Sequence, residues 1–365
     1  MRILLAPNAL KGSLSAAKAA AAIKRALSPR HDVTTFPISD GGDGFIDFFR
    51  MLDPQSRLIS VTAKNAFHKT KRTSFLLLSD GETAVLETAR ICGLGSAKAN
   101  ELDPLGASSY GVGEVLSKAI SRGARTIYVG LGGVACSDGG AGMAVACGAR
   151  LYDKKGVPLA LGANALLQLA RIDLSLLQKN IKGVKIIGIA DVTNPLLGIK
   201  GSAKIFGPQK GATPKQVCLL DKALSRWAKH LVQAQARSPI TIPGAAAAGA
   251  IGAGLYSCFK APLLLGADFL IQKTPLNSLI KDCDMVITCE GKLDEQTFYG
   301  KAPMAVLRLA KKHKKQTLFI CGQCTLKRFP KKFPFQLAVL TDFAANVQDA
   351  KSRAARYLTR VCKNL

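Results

Sequence analysis

Thr126–Gly142 reads TIYVGLGGVACSDGGAG: a short apolar run, then a loop, Gly130–Gly142, in which six of thirteen residues are glycine. The run TIYV has the β-branched and aromatic character of a buried strand. Each glycine inside a helix or strand weakens it by about 0.5–1 kcal/mol, so the continuation is not regular structure. Glycine admits positive φ and lets backbone approach a ligand without a Cβ in the way. Ser137 and Asp138 set one hydroxyl and one carboxylate into that permissive backbone. A tight multi-turn connection would use the same residues, so the segments around it have to decide.

Two others carry acids among glycines. Val33–Ile38 reads as a strand that delivers Ser39 and Asp40 into Asp40–Gly44, DGGDG; Asp284–Thr288 reads as a strand leading into Cys289–Lys301, CEGKLDEQTFYGK. Three such loops suggest one anion- and metal-binding site assembled from distant sequence. Asp40 and Asp43 lie three apart, so both can face one cation, with Mg²⁺ favoured by all-oxygen ligands. An Asx-turn without metal is the competing reading.

The 365 residues are too many for one ordinary core and suggest two domains. Hydrophobic content of 48% with alternating strand-like and helix-like segments indicates a soluble α/β protein. The start, MRILLAPNALKGS, lacks a secretory apolar core, and the longest uncharged run, between Arg237 and Lys260, is broken by prolines and glycines, so no membrane span is expected. Ten scattered cysteines fit free thiols in a reducing cytoplasm. Cys321–Cys324 matches C-x-x-C, a weak redox or zinc signal without partner cysteines. The net charge of +27 attracts anions, and the densest runs are Lys311–Lys315 and Lys327–Lys332. With aromatics at 6% and no RNP motif, zinc-finger spacing or helix-turn-helix, solvated lysine accounts for the charge better than nucleic-acid binding does.

At the amino end, a strand over 2–6 leads through Lys11-Gly12-Ser13 into a helix over 16–27 capped by Ser13 or Ser15. Backbone N–H groups, Lys11 and Ser13 there could hold an anion, or the turn is an ordinary capped βα connection. The P-loop pattern G-x-x-x-x-G-K-[ST] is absent from the chain. Segments over 58–63, 72–78 and 83–88 read as β, with Ser79-Asp80-Gly81 as a hairpin turn. A buried strand over 184–189 ends at Asp191 in Asp191–Pro195, DVTNP, and an acid there is where α/β sheets place functional groups. Pro195 excludes helical geometry at Asn194. Gln209 and Lys210 sit on the turn FGPQKG, where surface exposure alone would explain Lys210. Pro243–Gly254, PGAAAAGAIGAG, fits either a close-packed helix or a loop against which a ligand lies.

Taken in order, Pro7–Ala16, Asp40–Gly44, Asp103–Gly113, Gly130–Gly142, Asp191–Leu196, Phe206–Gly211, Pro243–Gly254 and Glu290–Pro303 resemble the bacterial type-1 glycerate kinase family nearly end to end. The resemblance implies phosphorylation of D-glycerate with ATP and Mg²⁺, usually at the 2-hydroxyl. It also implies two α/β domains with the site in the cleft between them: a Rossmann- or flavodoxin-like parallel sheet from residues 1–55 and 240–365, and an inserted domain over 56–239. A homodimer fits the reading, as does a cytoplasmic location. Where the family commonly reads P-D-S-F-K-G-S, this chain has Asn8 and Ala9. It also has Ser137 and Val134 where Asn and Ser are common, and Cys289 and Lys292 for Gly and Arg. Asn8 cannot be a base, so the base lies elsewhere.

Asp191 is the expected base, with Asp294 second; Lys11, also expected to be catalytic, is suited to phosphate or to the glycerate carboxylate. Asp40, Asp43, Asp138 and Glu290 are the metal candidates. Ser13, Gly132, Gly133, Ser137, Asn194, Gln209, Lys210, Gln296 and Lys301 are expected to bind substrate or nucleotide. A family member that has lost catalysis and acts as a ligand-binding protein, or a basic nucleic-acid-binding protein, would be the alternatives.

Overall fold

A computed structural model describes residues 1–95, 97–298, 301–326, 334–363 and 365; the side chains of Ala99 and Gln296, and the basic run Lys327–Lys332, lie outside the described residues. Its strands are β1 Arg2–Leu5, β2 Asp32–Thr35, β3 Arg57–Lys64, β4 Thr70–Leu77, β5 Thr83–Glu87, β6 Thr126–Leu131, β7 Arg150–Tyr152, β8 Arg171–Asp173, β9 Lys185–Ala190, β10 Leu263–Leu265, β11 Met285–Leu293, β12 Gln316–Cys324 and β13 Gln336–Val339. The chain separates into two compact units, Met1–Asp40 with Leu265–Leu365, and Gly41–Leu264. Both junctions differ from the expected 55/56 and 239/240. The first falls inside the DGGDG turn, ahead of the change to β-rich texture. The second follows the Pro243–Gly254 region because Ile251, Leu255 and Cys258 belong to the core of the middle unit.

The terminal unit holds a sheet in the order β13-β12-β11-β1-β2, parallel throughout. Both chain ends therefore build one sheet, as expected. The helix Ala16–Leu27 starts at Ser15, whose Oγ accepts from the N–H of Lys18 (3.3 Å), and it buries Ala19, Ile23 and Leu27. These pack with Ile3, Leu5, Ile287, Ile320 and Leu358. β11 and β12 run further than the sequence suggests, so Glu290 pairs with Cys321 inside the sheet. That extension disposes of the C-x-x-C reading. Cys321 and Cys324 lie three residues apart on one extended strand, with Cα atoms roughly 10 Å apart, beyond disulfide reach. All ten cysteines are free.

The middle unit holds a mixed sheet, β10-β9-β6-β5-β4-β3, with β9, β6 and β5 parallel and β5, β4 and β3 antiparallel. The hairpin at Ser79–Gly81 forms as expected: Asp80 Oδ1 accepts from the N–H groups of Glu82 (2.9 Å) and Thr83 (2.8 Å). Phe75, Leu86, Val112, Leu116, Ile127, Val129 and Trp227 fill its core.

Pro243–Gly254 is close-packed, with its helix interrupted near the start. A helix spans Ala247–Cys258, yet Ala248, Gly249 and Ala250 near its start are left-handed, with φ of 52°, 63° and 65°. Gly249 backs onto the glycine-rich loop so closely that a Cβ would stand 1.9 Å from the carbonyl oxygen of Cys136. Gly249→Ala is therefore expected to destabilise the protein by about 2–4 kcal/mol, from strain plus overpacking. Urea unfolding checks this, and a midpoint equal to that of the parent would refute the packing argument.

Candidate active site

In the terminal unit the sheet changes direction at β1. The chain leaves β1 for β2 on one side, while β11, β12 and β13 lie on the other. Open α/β sheets form a binding crevice at the carboxyl ends of the strands flanking such a point. Asn8 follows β1, Asp40 follows β2, and Glu290 lies toward the carboxyl end of β11. The backbone N–H of Asn8 donates to Cys289 O (2.9 Å), and its Nδ2 donates to Asp40 Oδ2 (3.1 Å). The same carboxylate oxygen accepts from the N–H of Ala302 (3.4 Å), the first residue of the helix Ala302–Lys312. An aspartate at position 8 would face Asp40 as a like charge; asparagine turns that position into a hydrogen-bond donor to the Asp40 carboxylate.

Glu290 is 4% exposed, and Thr297 Oγ1 donates to its Oε1 at 2.6 Å. Burial lifts its carboxyl to about 7; Lys301 and Thr297 pull it down, and the charges of Asp40 and Asp294 push it further up. Asp294 lies between two lysines, with Lys301 Nζ 3.6 Å from Oδ1 and Lys292 Nζ 3.7 Å from Oδ2. Its Oδ1 is nevertheless buried and makes no hydrogen bond. Ser39, beside Asp40, is buried with an unpartnered Oγ as well. Lys11 is exposed, while the hydroxyl of Ser13 is spent on the Lys351 carbonyl (2.5 Å). The terminal unit thus brings together Asp40, Glu290, Asp294 and Lys301 from the expected set. It adds Asn8, Ser39 and Thr297 in roles that sequence reasoning did not give them.

The middle unit has its own set at the carboxyl ends of β5, β6 and β9. The DGGDG turn lies against β9: a Cβ on Gly41 would stand 2.4 Å from the Ile189 carbonyl oxygen. Glu87, the last residue of β5, accepts the N–H groups of Gly44 (3.3 Å) and Ile46 (3.1 Å), fixing the turn at the start of the helix Phe45–Leu52. Burial raises the Glu87 carboxyl, backbone donors and Arg90 oppose that, and exposed Asp43 adds its charge. Thr88 Oγ1 donates to the carbonyl of Gly130 (2.8 Å), tethering the loop that holds buried Gly132 and exposed Gly133. Glu87 and Thr88 were missed because a strand-end glutamate and threonine carry no local motif.

Asp138 is fully buried. Its Oδ2 accepts from Ser108 Oγ (3.1 Å), Ser109 N (2.8 Å), Ser109 Oγ (2.9 Å) and Gly142 N (3.2 Å). These donors make its carboxylate the clamp of the glycine-rich loop. Lys210 corrects the surface reading: it is 2% exposed, and its Nζ donates to Cys136 O (2.5 Å) and Ser137 Oγ (3.3 Å). Gln209 beside it is exposed. Asp191 immediately follows β9 and is half-buried. Asn194 braces the turn after it, donating from Nδ2 to Lys200 O (2.8 Å) and accepting from the Ala246 N–H (3.2 Å).

Desolvation pulls the Lys210 ammonium down to about 8 from its ordinary 10.5. Between those values the unfolded chain binds more protons than the folded one, so this group makes stability rise with pH across that window. At neutral pH the buried charge costs about 3 kcal/mol relative to pH above 10.5. Lys210→Met removes that slope: its stability relative to the parent is expected to fall as pH goes from 7.5 to 10. A constant difference in urea unfolding would show that Lys210 titrates normally.

Parallel strands that gather acids and lysines at their carboxyl ends define an α/β protein equipped to handle anionic, phosphate-bearing ligands. A family model described as "Glycerate kinase family" matches residues 3–365. The chain is similar to the glycerate kinase of Bacillus subtilis strain 168, 35% identical over 100% of this chain and 97% of that protein. It is 37% identical to the glycerate 2-kinase of Escherichia coli K12, over 89% of this chain and 86% of the other. A crystal structure from Salmonella typhimurium LT2, described as a glycerate kinase 2, matches with a TM-score of 0.81 at 34% identity, covering 100% and 96% of the two chains. This chain belongs to the glycerate kinase family.

Proposed function

We propose that this protein transfers the terminal phosphoryl group of ATP to the 2-hydroxyl of D-glycerate, giving 2-phosphoglycerate, in the cytoplasm. The observation that carries the reading is the buried Asn8–Asp40–Glu290 set at the direction change of the parallel sheet, in a chain of this family. Phosphoryl transfer needs positioning, neutralisation of phosphate charge, and a group to take the hydroxyl proton. Asp191, fixed after β9 by the turn that Asn194 braces, takes that proton; Asp294 is the alternative. Lys11 and Lys301 bind phosphate or the glycerate carboxylate. Lys210 and Asp138 shape the Cys136–Gly142 backbone that meets the nucleotide, with Gly132, Gly133 and Ser137 on the same loop.

Mg²⁺ supplies neutralisation of the phosphate oxygens when bound. One or two carboxylates would suffice to hold it. Among the described residues no three His, Cys, Asp or Glu converge as a closed metal cage. An open all-oxygen site fits the residues present: Asp40 and Glu290 would hold the ion, next to the hydrogen-bond-free Oδ1 of Asp294. Asp43 remains a candidate on the exposed side of its turn. Among the described residues no helix is long and apolar enough to cross a membrane. Glycerate-dependent ADP release, abolished by EDTA and restored by Mg²⁺, is the expected result. Release that continues unchanged in EDTA would remove the metal, and no release with D-glycerate would remove the reading.

A further inference from the structure

The carboxyl-terminal turns of two packed helices, Ala16–Leu27 and Ala354–Cys362, border a surface groove of about 940 Å³ in the terminal unit. Arg25, Arg30, Arg356, Arg360 and Lys363 line it, all exposed, and among the described residues no acidic one does. The helices run in the same direction. Thr359 Oγ1 donates to Ala22 O (3.3 Å) partway along, and Arg30 donates to the Lys363 carbonyl beyond both ends. The first helix leaves the carboxyl end of β1 and returns toward the start of β2. The groove therefore lies at the amino-end pole of the sheet, opposite the Asn8–Asp40–Glu290 set.

Cations near helix C-termini ordinarily answer the helix dipole or cap its last carbonyls. Arg30 does this for Lys363, and Arg360 lies over the Phe343 ring, 5.5 Å from its centre. Arg25, in the last turn of its helix, and Lys363, at the C-cap of the other, stand where the dipole favours a cation, whereas Arg356 does not; among the described residues no carboxylate pairs with any of the three. Asp349, which feels the charge of Arg356, pairs instead with Arg353 (3.3 Å) and accepts the Tyr357 hydroxyl (2.6 Å). Five like charges in one concavity repel one another until an anion enters.

We propose that this groove binds a compact anion carrying two or more phosphates, at a site separate from the catalytic set. Guanidinium forks match phosphate oxygens in paired hydrogen bonds, and four of the five cations are arginine. The volume lies within the roughly 300–1,000 Å³ typical of small-ligand pockets. A single carboxylate would leave most of the charge uncompensated. A nucleic-acid strand is the poorer fit, because among the described residues no aromatic side chain lines the groove to stack a base.

Inorganic tripolyphosphate is the probe, titrated into the full chain at physiological salt with ATP and glycerate absent. Phenylglyoxal modification read by mass spectrometry is expected to show Arg25, Arg356 and Arg360 protected. The triple variant Arg25→Ala/Arg356→Ala/Arg360→Ala is expected to weaken calorimetric binding about a hundredfold or more, with basal kcat unchanged. Arg356→Glu alone gives a smaller loss of the same sign, so the test survives poor folding of the triple variant. No protection, or undiminished binding by the variants, overturns the proposal. Protection of the same arginines by a short DNA duplex at lower concentration than by tripolyphosphate overturns it too, in favour of a nucleic-acid surface.

Discussion

Asp191→Asn is expected to lower kcat by about 10²–10⁴, with KM for glycerate changing far less. The amide keeps the shape of the side chain at the end of β9 but cannot take the hydroxyl proton. The position is well fixed: Asn194 holds the following turn through Lys200 and Ala246, and Gly41 packs on the preceding strand at Ile189. Steady-state kinetics on the purified variant decides the matter. A full-rate Asp191→Asn enzyme would remove Asp191 from proton transfer, and Asp294→Asn would then be the variant expected to lose turnover.

Glu290→Gln is expected to move activity and stability in opposite directions. The carboxyl is ordinarily near 4.5 and is lifted to about 7 in the fold, chiefly by burial. The folded protein therefore binds more protons than the unfolded chain between those values, and stability contributed by this group is lost as pH rises from 4.5 through 7. A neutral glutamine of the same shape escapes that loss and can still accept from Thr297. Without metal, the variant is expected to be about 1–3 kcal/mol more stable than the parent at pH 8, with the gap closing toward pH 4.5. Its kcat is expected to fall on the order of 10²-fold, because a neutral amide holds a divalent cation poorly. Urea unfolding in EDTA at pH 5 and pH 8, with kinetics in Mg²⁺, reads both effects. A variant that is less stable at pH 8 and fully active would contradict the assignment.

Much of the fold was legible because parallel sheets announce themselves. β1, β6, β9 and β11 are apolar runs ending in glycine, proline or an acid, and that punctuation located the loops at the strand ends from sequence. The hairpin at Asp80 was readable for the same local reason. What the sequence could not convey was the company each side chain keeps. Lys210 looks like any turn lysine, yet a backbone carbonyl 74 residues away takes its ammonium into the interior. Asp138 reads as a metal candidate in a glycine loop, and nothing local shows that Ser108 and Ser109, about 30 residues earlier, donate to its Oδ2. Glu290 reads as one more strand-end acid; its unusual proton affinity comes from burial in β11, which extends further than apolar patterning implies. Long-range hydrogen bonds and burial leave no periodic trace, and that is where sequence reasoning stopped.

The most direct test is ³¹P–¹H correlation NMR of the product formed from ATP, Mg²⁺ and D-glycerate by the purified protein. The account predicts a phosphorus resonance coupled to the single proton on carbon 2, appearing only with all three components. Coupling to the two carbon-3 protons would contradict the regiochemistry, and the absence of any phosphorylated glycerate would contradict the function.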